Sequence, residues 1–289
     1  MNTPSYVIIQ EKQGQLCEDG FCIFEQILPD KMVEKLNEMS LWTIQQEDQK
    51  HFDDHRSQGC IIHYIKFPHP TFKELITYKN SLNALASLGF TNPKVWSGFV
   101  ISKPPFSPPL YWHQDGVIWE HPISYTQKPQ QYFLMYYLDD TNDQNGCLRV
   151  IPKSHLKRHA IHDINRVAHE QDSVSNASDM NHPSFQITND EMDVPVKAGD
   201  LIIGDARLLH SSHANQTKKR RTVITIWYWA TYDQLPESVQ ALITGHIHEN
   251  NNWVQWINDN DFSRHSLLPT YIGKTDPLKW NNIPGDSLL

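Results

Sequence analysis

Five short runs rich in β-branched and aromatic residues fall in one block: Val95–Ile101, Tyr132–Leu138, Leu148–Ile151, Leu201–Ile203 and Thr222–Tyr228. Gly, Pro, Asn and Asp separate them. Such side chains suit a pleated, packed surface, and the intervening residues suit turns, so each run is expected to be a strand. Many short strands in one stretch favour a sandwich or barrel over a parallel α/β sheet.

Helical spacing flanks the block. Asp30 is expected to cap a helix carrying Met32, Leu36 and Met39. Thr71-Phe72-Lys73-Glu74 reads as a capping box opening a second helix through Leu75, Ile76, Leu82 and Leu85, stopped by Gly89. Pro236 is expected to open a helix to Ile243, followed by a Trp-containing tail. The polar stretch from Asp163 to Ser184 reads as a long loop and is expected to form a lid over a site. The chain is expected to be one mainly β domain with flanking helices (α+β), over residues 1–289. It divides into a helical support at about 1–93, a β core at about 94–231 and a helical tail at about 232–289.

A net charge of −8 over 289 residues gives no reason to expect nucleic acid or an anionic membrane as partner. No apolar run approaches the roughly 18 residues of a membrane span, and the first residues lack the blocks of a signal peptide. Cys17, Cys22, Cys60 and Cys147 stand at irregular spacings that indicate neither a disulfide framework nor a zinc site. A reducing cytoplasm is the expected setting.

Chemistry enters with His113-Gln114-Asp115 and, 97 residues later, His210. Two imidazoles and one carboxylate hold non-haem Fe(II) on one face and leave the opposite positions open. In an extended segment residues i and i+2 point the same way, so His113 and Asp115 can grip one metal while Gln114 points elsewhere. The electrons for oxygen chemistry commonly come from a 2-oxo acid, whose far carboxylate needs a fixed cation, and the planar fork of arginine suits it. Arg221 follows His210 by eleven residues, at the start of the last predicted strand. Zinc also accepts two histidines and a carboxylate, but would leave Arg221 without a role.

The sequence resembles the phytanoyl-CoA dioxygenase-like (PhyH) family of Fe(II)/2-oxoglutarate-dependent oxygenases. The resemblance rests on Tyr111-Trp112-His113-Gln114-Asp115, on Asn145-Gly146-Cys147-Leu148-Arg149-Val150-Ile151-Pro152-Lys153-Ser154-His155, on Gly199-Asp200 leading to Leu208-Leu209-His210, and on the step to Arg221. It covers about residues 95–230, with a weaker likeness at Asp19-Gly20-Phe21. It implies a double-stranded β-helix (jelly roll, cupin-like) core, with His113, Asp115 and His210 as iron ligands and Arg221 as the anchor of the 2-oxoglutarate C5 carboxylate. Ser212 and Gln114 match positions that help bind co-substrate in some members. Trp119 stands where the similar ectoine hydroxylases carry a substrate-side Trp.

Arg220 beside Arg221 leaves a choice, since alternation sends the two to opposite faces and only one can serve; the spacing selects Arg221. Related iron halogenases carry Ala or Gly in place of the carboxylate ligand, so Asp115 favours oxygen insertion or desaturation. With Fe(II), 2-oxoglutarate and O2, the expected activity is hydroxylation of an unactivated C–H bond of a small molecule, releasing succinate and CO2. Desaturation or cyclisation at the same iron, and a non-catalytic binding protein on the same fold, are the alternatives. Trp119, Tyr125 and Phe133 are expected to face the substrate, suggesting an apolar-to-amphipathic molecule. His155, His159 and His162 are expected in surface or loop roles, and His246 and His248 in solvent.

Overall fold

A computed structural model describes residues 6–164 and 172–289. The first part contains α1 (Tyr6–Asp19), β1 (Phe21–Phe24), α2 (Asp30–Ile44), α3 (Gln49–Asp54), β2 (Ile61–His63), α4 (Pro70–Ile76) and α5 (Lys79–Ser87). Strands β3 (Lys94–Lys103), β4 (Leu110–His113), β5 (Gln131–Tyr137) and β6 (Leu148–Val150) follow, then α6 (Ala160–Ile164) and α7 (Asp172–Ser175). The chain continues through β7 (Met192–Val194), β8 (Leu201–Asp205), β9 (His210–Ser212), β10 (Arg221–Trp229), α8 (Glu237–His248) and α9 (Asn251–Asp259).

The strands form two antiparallel sheets, six-stranded in the order β1-β8-β5-β10-β3-β2 and four-stranded in the order β4-β9-β6-β7. β5 lies inside the larger sheet and all seven of its residues are buried. Phe133, Met135 and Tyr137 pack toward the smaller sheet with Ile202, Val223, Leu148 and Val150. Leu134 and Tyr136 join the cluster that holds Leu36, Leu75 and Leu85 of the helices. A strand covered on both faces reads as a continuous apolar run, which is why Tyr132–Leu138 lacks polar alternation. Each large side chain so buried contributes about 1.5–3 kcal/mol.

β1 and β2 lie in the stretch expected to be helical support, yet form the two edges of the larger sheet. Asp30 is the first residue of α2, with Pro29 at the N-cap position; it meets the helix dipole instead of capping. The expected helix from Thr71 is two helices. His69 is the N-cap, its ring accepting from Thr71 N, and Pro70 opens the first turn. This helix ends where Thr77 Oγ1 turns back on Lys73 O at 2.8 Å. Gly89 has φ +88°, the left-handed conformation expected past the end of α5. α8 begins after Pro236, as the sequence suggests, and runs five residues beyond Ile243.

Within the expected lid, residues 165–171 lie outside the described residues. Val174, Ala177 and Phe185 are buried against Tyr111. His155 and His162 are buried rather than on the surface. Burial lowers the pKa of both, to about 4 for His162. His246 stacks on Trp96, ring centroids 4.0 Å apart. Among the described residues no helix is long and apolar enough to cross a membrane.

Candidate metal centre

His113 closes β4 and His210 opens β9, and the two residues face each other in the β4–β9 ladder. Their rings lie 4.1 Å apart between centroids. Asp115 sits two residues past β4, its backbone N–H donating to Ala206 O. Its Oδ1 is 3.8 Å from His113 Nε2 and its Oδ2 is 3.6 Å from His210 Nε2. Each imidazole has Nδ1 against a main-chain carbonyl, Tyr111 O at 3.1 Å and Leu208 O at 2.9 Å. A carbonyl can only accept, so both Nδ1 atoms carry the proton and both Nε2 lone pairs face Asp115. The donor atoms lie within 4.8 Å of one another, and two imidazole nitrogens with a carboxylate are the donor set that suits ferrous iron.

Neighbours fix these ligands. The Trp227 indole N–H donates to Asp115 Oδ2 at 3.0 Å. Phe133 packs on the His210 ring at 5.0 Å, and Gly204 makes room for it: a Cβ there would lie 2.1 Å from Phe133 Cζ. Arg207 pairs with buried Asp205 and donates to Ser124 O and Thr126 O, bracing the loop after Asp115. Trp227→Phe keeps the bulk and removes the donor. Outer hydrogen-bond partners of metal ligands are worth about 10–100-fold in affinity, so a metal titration of this variant is expected to show a loss in that range. Unchanged affinity would mean the indole does not hold Asp115.

Away from the triad, the cavity runs between the sheets to Arg221 and is lined by Ile101, Met135, Tyr137, Ser212, Val223 and Thr225, among others. Arg221 is 3% exposed, and its Nε has no hydrogen-bond partner among the described residues. Among the described residues no carboxylate forms an ion pair with Arg221, and Asp139 attracts it only at longer range. Burial pulls the Arg221 pKa below its ordinary value. Lys103 is buried nearby, its Nζ donating to Ser57 O and Pro108 O; burial, then the Arg221 charge, pulls its pKa well down. A buried guanidinium lacking a partner is costly unless a carboxylate arrives, so this end of the cavity fits a dicarboxylate. Arg220 instead donates to Ser102 O, on the other side of the strand.

The structure thus brings together His113, Asp115, His210, Ser212 and Arg221 around one cavity. It places Gln114 elsewhere: its Nε2 donates to Asn282 O, and its Oε1 accepts from Gly116 N and from Trp119 Nε1. Trp119 is thereby spent on Gln114, and Tyr125 donates to Trp119 O while accepting from Gly285 N. Phe133 lies behind His210. Gln114, Trp119, Tyr125 and Phe133 are not among the residues that line this cavity, and Trp119 lines a separate small cavity with Val117, Ser124 and Arg207. Gln114, Trp119 and Tyr125 instead tie residues 281–285 to the loop that carries Asp115.

Sequence reasoning missed Trp227, Gln58 and Ile61. Trp227 had a signal: Arg221, Val223, Thr225 and Trp227 alternate along β10, and all four line the cavity. Gln58 and Ile61 had none, because they reach the site through the pairing of β2 with β3. They also line an adjoining outer cleft with Lys50, Asp54, His55, Tyr111, Ser175 and Asn176.

Two antiparallel sheets with a His-Asp-His triad at one end of the space between them define a double-stranded β-helix of the Fe(II)/2-oxoglutarate oxygenase type. Residues 16–223 match the Phytanoyl-CoA dioxygenase (PhyH) family, and the chain belongs to that family. Similar proteins include Phytanoyl-CoA dioxygenase of Arabidopsis thaliana, 31% identical over 157 residues, covering 53% of this chain and 50% of that protein. Phytanoyl-CoA dioxygenase 1 of Oryza sativa subsp. japonica is 27% identical over 161 residues, covering 54% and 52%. The chain spans about half the length of these curated relatives. Among solved structures, the non-heme alpha ketoglutarate dependent epimerase SnoN from nogalamycin biosynthesis superposes with a TM-score of 0.58. It is 17% identical, with 77% of this chain and 83% of that one covered, a likeness of fold.

Proposed function

We propose that this chain is a non-haem Fe(II)/2-oxoglutarate-dependent dioxygenase that hydroxylates an unactivated C–H bond of a small polar molecule. The observation that carries the reading is the pairing, in one cavity, of the His113–Asp115–His210 triad with a buried Arg221 that makes no hydrogen bond or ion pair among the described residues. When bound, iron with 2-oxoglutarate and O2 supplies the oxidising power, and succinate and CO2 leave. The two Nε2 atoms and the Asp115 carboxylate hold the metal, and Trp227 fixes one Asp115 oxygen. Arg221 takes the far carboxylate of the co-substrate, with Ser212 lining the path between. Ile101, Met135 and Val223 keep that path dry, which strengthens the Arg221–carboxylate attraction. A reducing cytoplasm would keep the iron ferrous.

The outer cleft points to the substrate. It has room for about 420 Å³, against about 70 Å³ inside. A substrate resting in this larger outer space would reach the metal past Gln58 and Ile61. Lys50, Asp54, His55, Ser175 and Asn176 make that cleft polar, and Gln58 Oε1 is buried without a partner among the described residues. Both features favour a hydroxylated or charged molecule over the apolar-to-amphipathic one expected from sequence.

The test is anaerobic addition of Fe(II) and 2-oxoglutarate, read by the metal-to-ligand absorption band, followed by O2 with a panel of polar metabolites. The expected product is one oxygen atom heavier, with stoichiometric succinate. Absence of the band would remove the co-substrate assignment. A product two hydrogens lighter would replace hydroxylation by desaturation or oxidative ring closure. Failure to form succinate with any substrate would favour a binding protein.

A further inference from the structure

Outside the cavity, the smaller sheet brings a second set of donors together. Leu148, Val150, His210 and Ser212 face inward, so alternation turns Cys147, Asp193, Ser211 and His213 to the outer face. Cys147 and His213 are cross-strand neighbours, the His213 N–H donating to Cys147 O at 3.1 Å. Asp193 is diagonal to Cys147 on β7. Its Oδ1 meets His213 Nε2 at 2.6 Å. One donor atom each from Cys147, Asp193 and His213 lie within 4.8 Å of one another. The thiol is buried, the imidazole half-buried and the carboxylate exposed, so the cluster opens to solvent on one side and is closed on the other.

We infer that Cys147, Asp193 and His213 form a second metal site, separate from the triad, that takes a borderline divalent cation such as Zn2+ or Co2+. A sulfur, a nitrogen and a carboxylate oxygen are zinc donors, whereas Mg2+ and Ca2+ prefer all-oxygen sites. Zinc bonds of about 2.0–2.3 Å place donor atoms roughly 3–4 Å apart. The three donor atoms lie within 4.8 Å of one another, and the 2.6 Å Asp193–His213 hydrogen bond would open to admit the cation. Solvent on the Asp193 side supplies the fourth position. Asp193 contributes negative charge beside the thiol, while Arg149 on the same face is occupied by Glu191 and Ser211. Burial and Asp193 raise the Cys147 pKa to about 12. The thiol is therefore inert as a nucleophile, and loading displaces its proton. The site stands on the sheet register and not on the iron reading.

It also shares a wall with the proposed co-substrate anchor. Gly146, with φ +90°, sits so close that a Cβ would lie 3.1 Å from His213 O and 3.3 Å from Arg221 Nη2. Only a residue without a side chain lets β6 start with Cys147 on one face and Arg221 against the other.

Cobalt(II) titration of the full chain tests the inference. The triad holds no sulfur, so a sulfur-to-cobalt charge-transfer band in the near-ultraviolet cannot come from it, and its loss in Cys147→Ser assigns the band to the Cys147 cluster. The expected result is a saturable band, abolished in Cys147→Ser and retained in Asp115→Ala. His213→Ala, at a partly exposed side chain, should weaken binding at least about tenfold, the loss that even an outer-shell partner causes. It also serves if the buried Cys147→Ser fails to fold. No band in the parent protein, or a band unchanged in Cys147→Ser (from exposed Cys17, for example), or unchanged affinity in His213→Ala, would overturn the site. Loss of iron binding with the band intact would count against the triad only.

Discussion

Arg221→Met is expected to abolish the thermal stabilisation that 2-oxoglutarate gives the iron-loaded protein, while leaving the ligand-free protein at least as stable as the parent. The two halves have one cause. In the free protein Arg221 is a buried cation with its Nε unsatisfied and no ion-pair partner among the described residues. Replacing it by an apolar chain of similar length removes a desolvated charge and keeps the bulk of the cavity wall it shares with Tyr137 and Val223. A buried charge without a partner is costly, so its removal is expected to leave stability unchanged or higher. In the complex the guanidinium meets a carboxylate in a dry cavity, and truncating one member of a buried charge pair costs about 2–5 kcal/mol. That is roughly 30-fold or more in affinity. Melting curves with and without co-substrate measure both. A variant that melts well below the parent yet keeps its co-substrate shift would assign Arg221 to architecture instead.

Asp115→Ala is expected to lower metal affinity by at least about 100-fold, beyond the loss caused by an outer partner such as Trp227, and to end coupled turnover. Asp115 is the one carboxylate of the triad and lies between the two Nε2 atoms. Without it the cation keeps two neutral imidazoles and loses its charge compensation. The fold should persist, because the Asp115 link to Ala206 is made by main-chain N–H. Metal titration and product formation are the readouts. Full hydroxylation in the variant would show that the carboxylate is not an essential ligand.

The parts of the site that could be read in advance are those written locally. His113 and Asp115 are two residues apart along one extended segment, and Arg221 follows His210 by only eleven residues, although the two stand on strands of different sheets. Arg221 could be chosen over Arg220 only by spacing; the structure separates them by face, sending Arg220 to Ser102. What failed is what depends on distant packing. Trp119 lies away from the triad's cavity, its indole N–H donating to Gln114 where residues 281–285 return across that loop. The strands β4 and β9 that carry the two histidines are four and three residues long, too short for periodicity to be visible. Cys147, Asp193 and His213 show no zinc spacing because three separate strands supply them. The broad β pattern of residues 94–231 was legible since strand runs such as β5 are apolar on both faces, whereas β1 and β2 add to the sheet only through partners far along the chain.

The ladder that joins His113 to His210 closes a loop of 97 residues. Contacts across so long a loop form late, since closure entropy must be overcome before the pairing rewards it. Iron therefore meets its ligands only in an almost finished molecule. It is expected to slow unfolding by holding β4 on β9 more than it speeds folding, which refolding and unfolding rates with and without Fe(II) would measure.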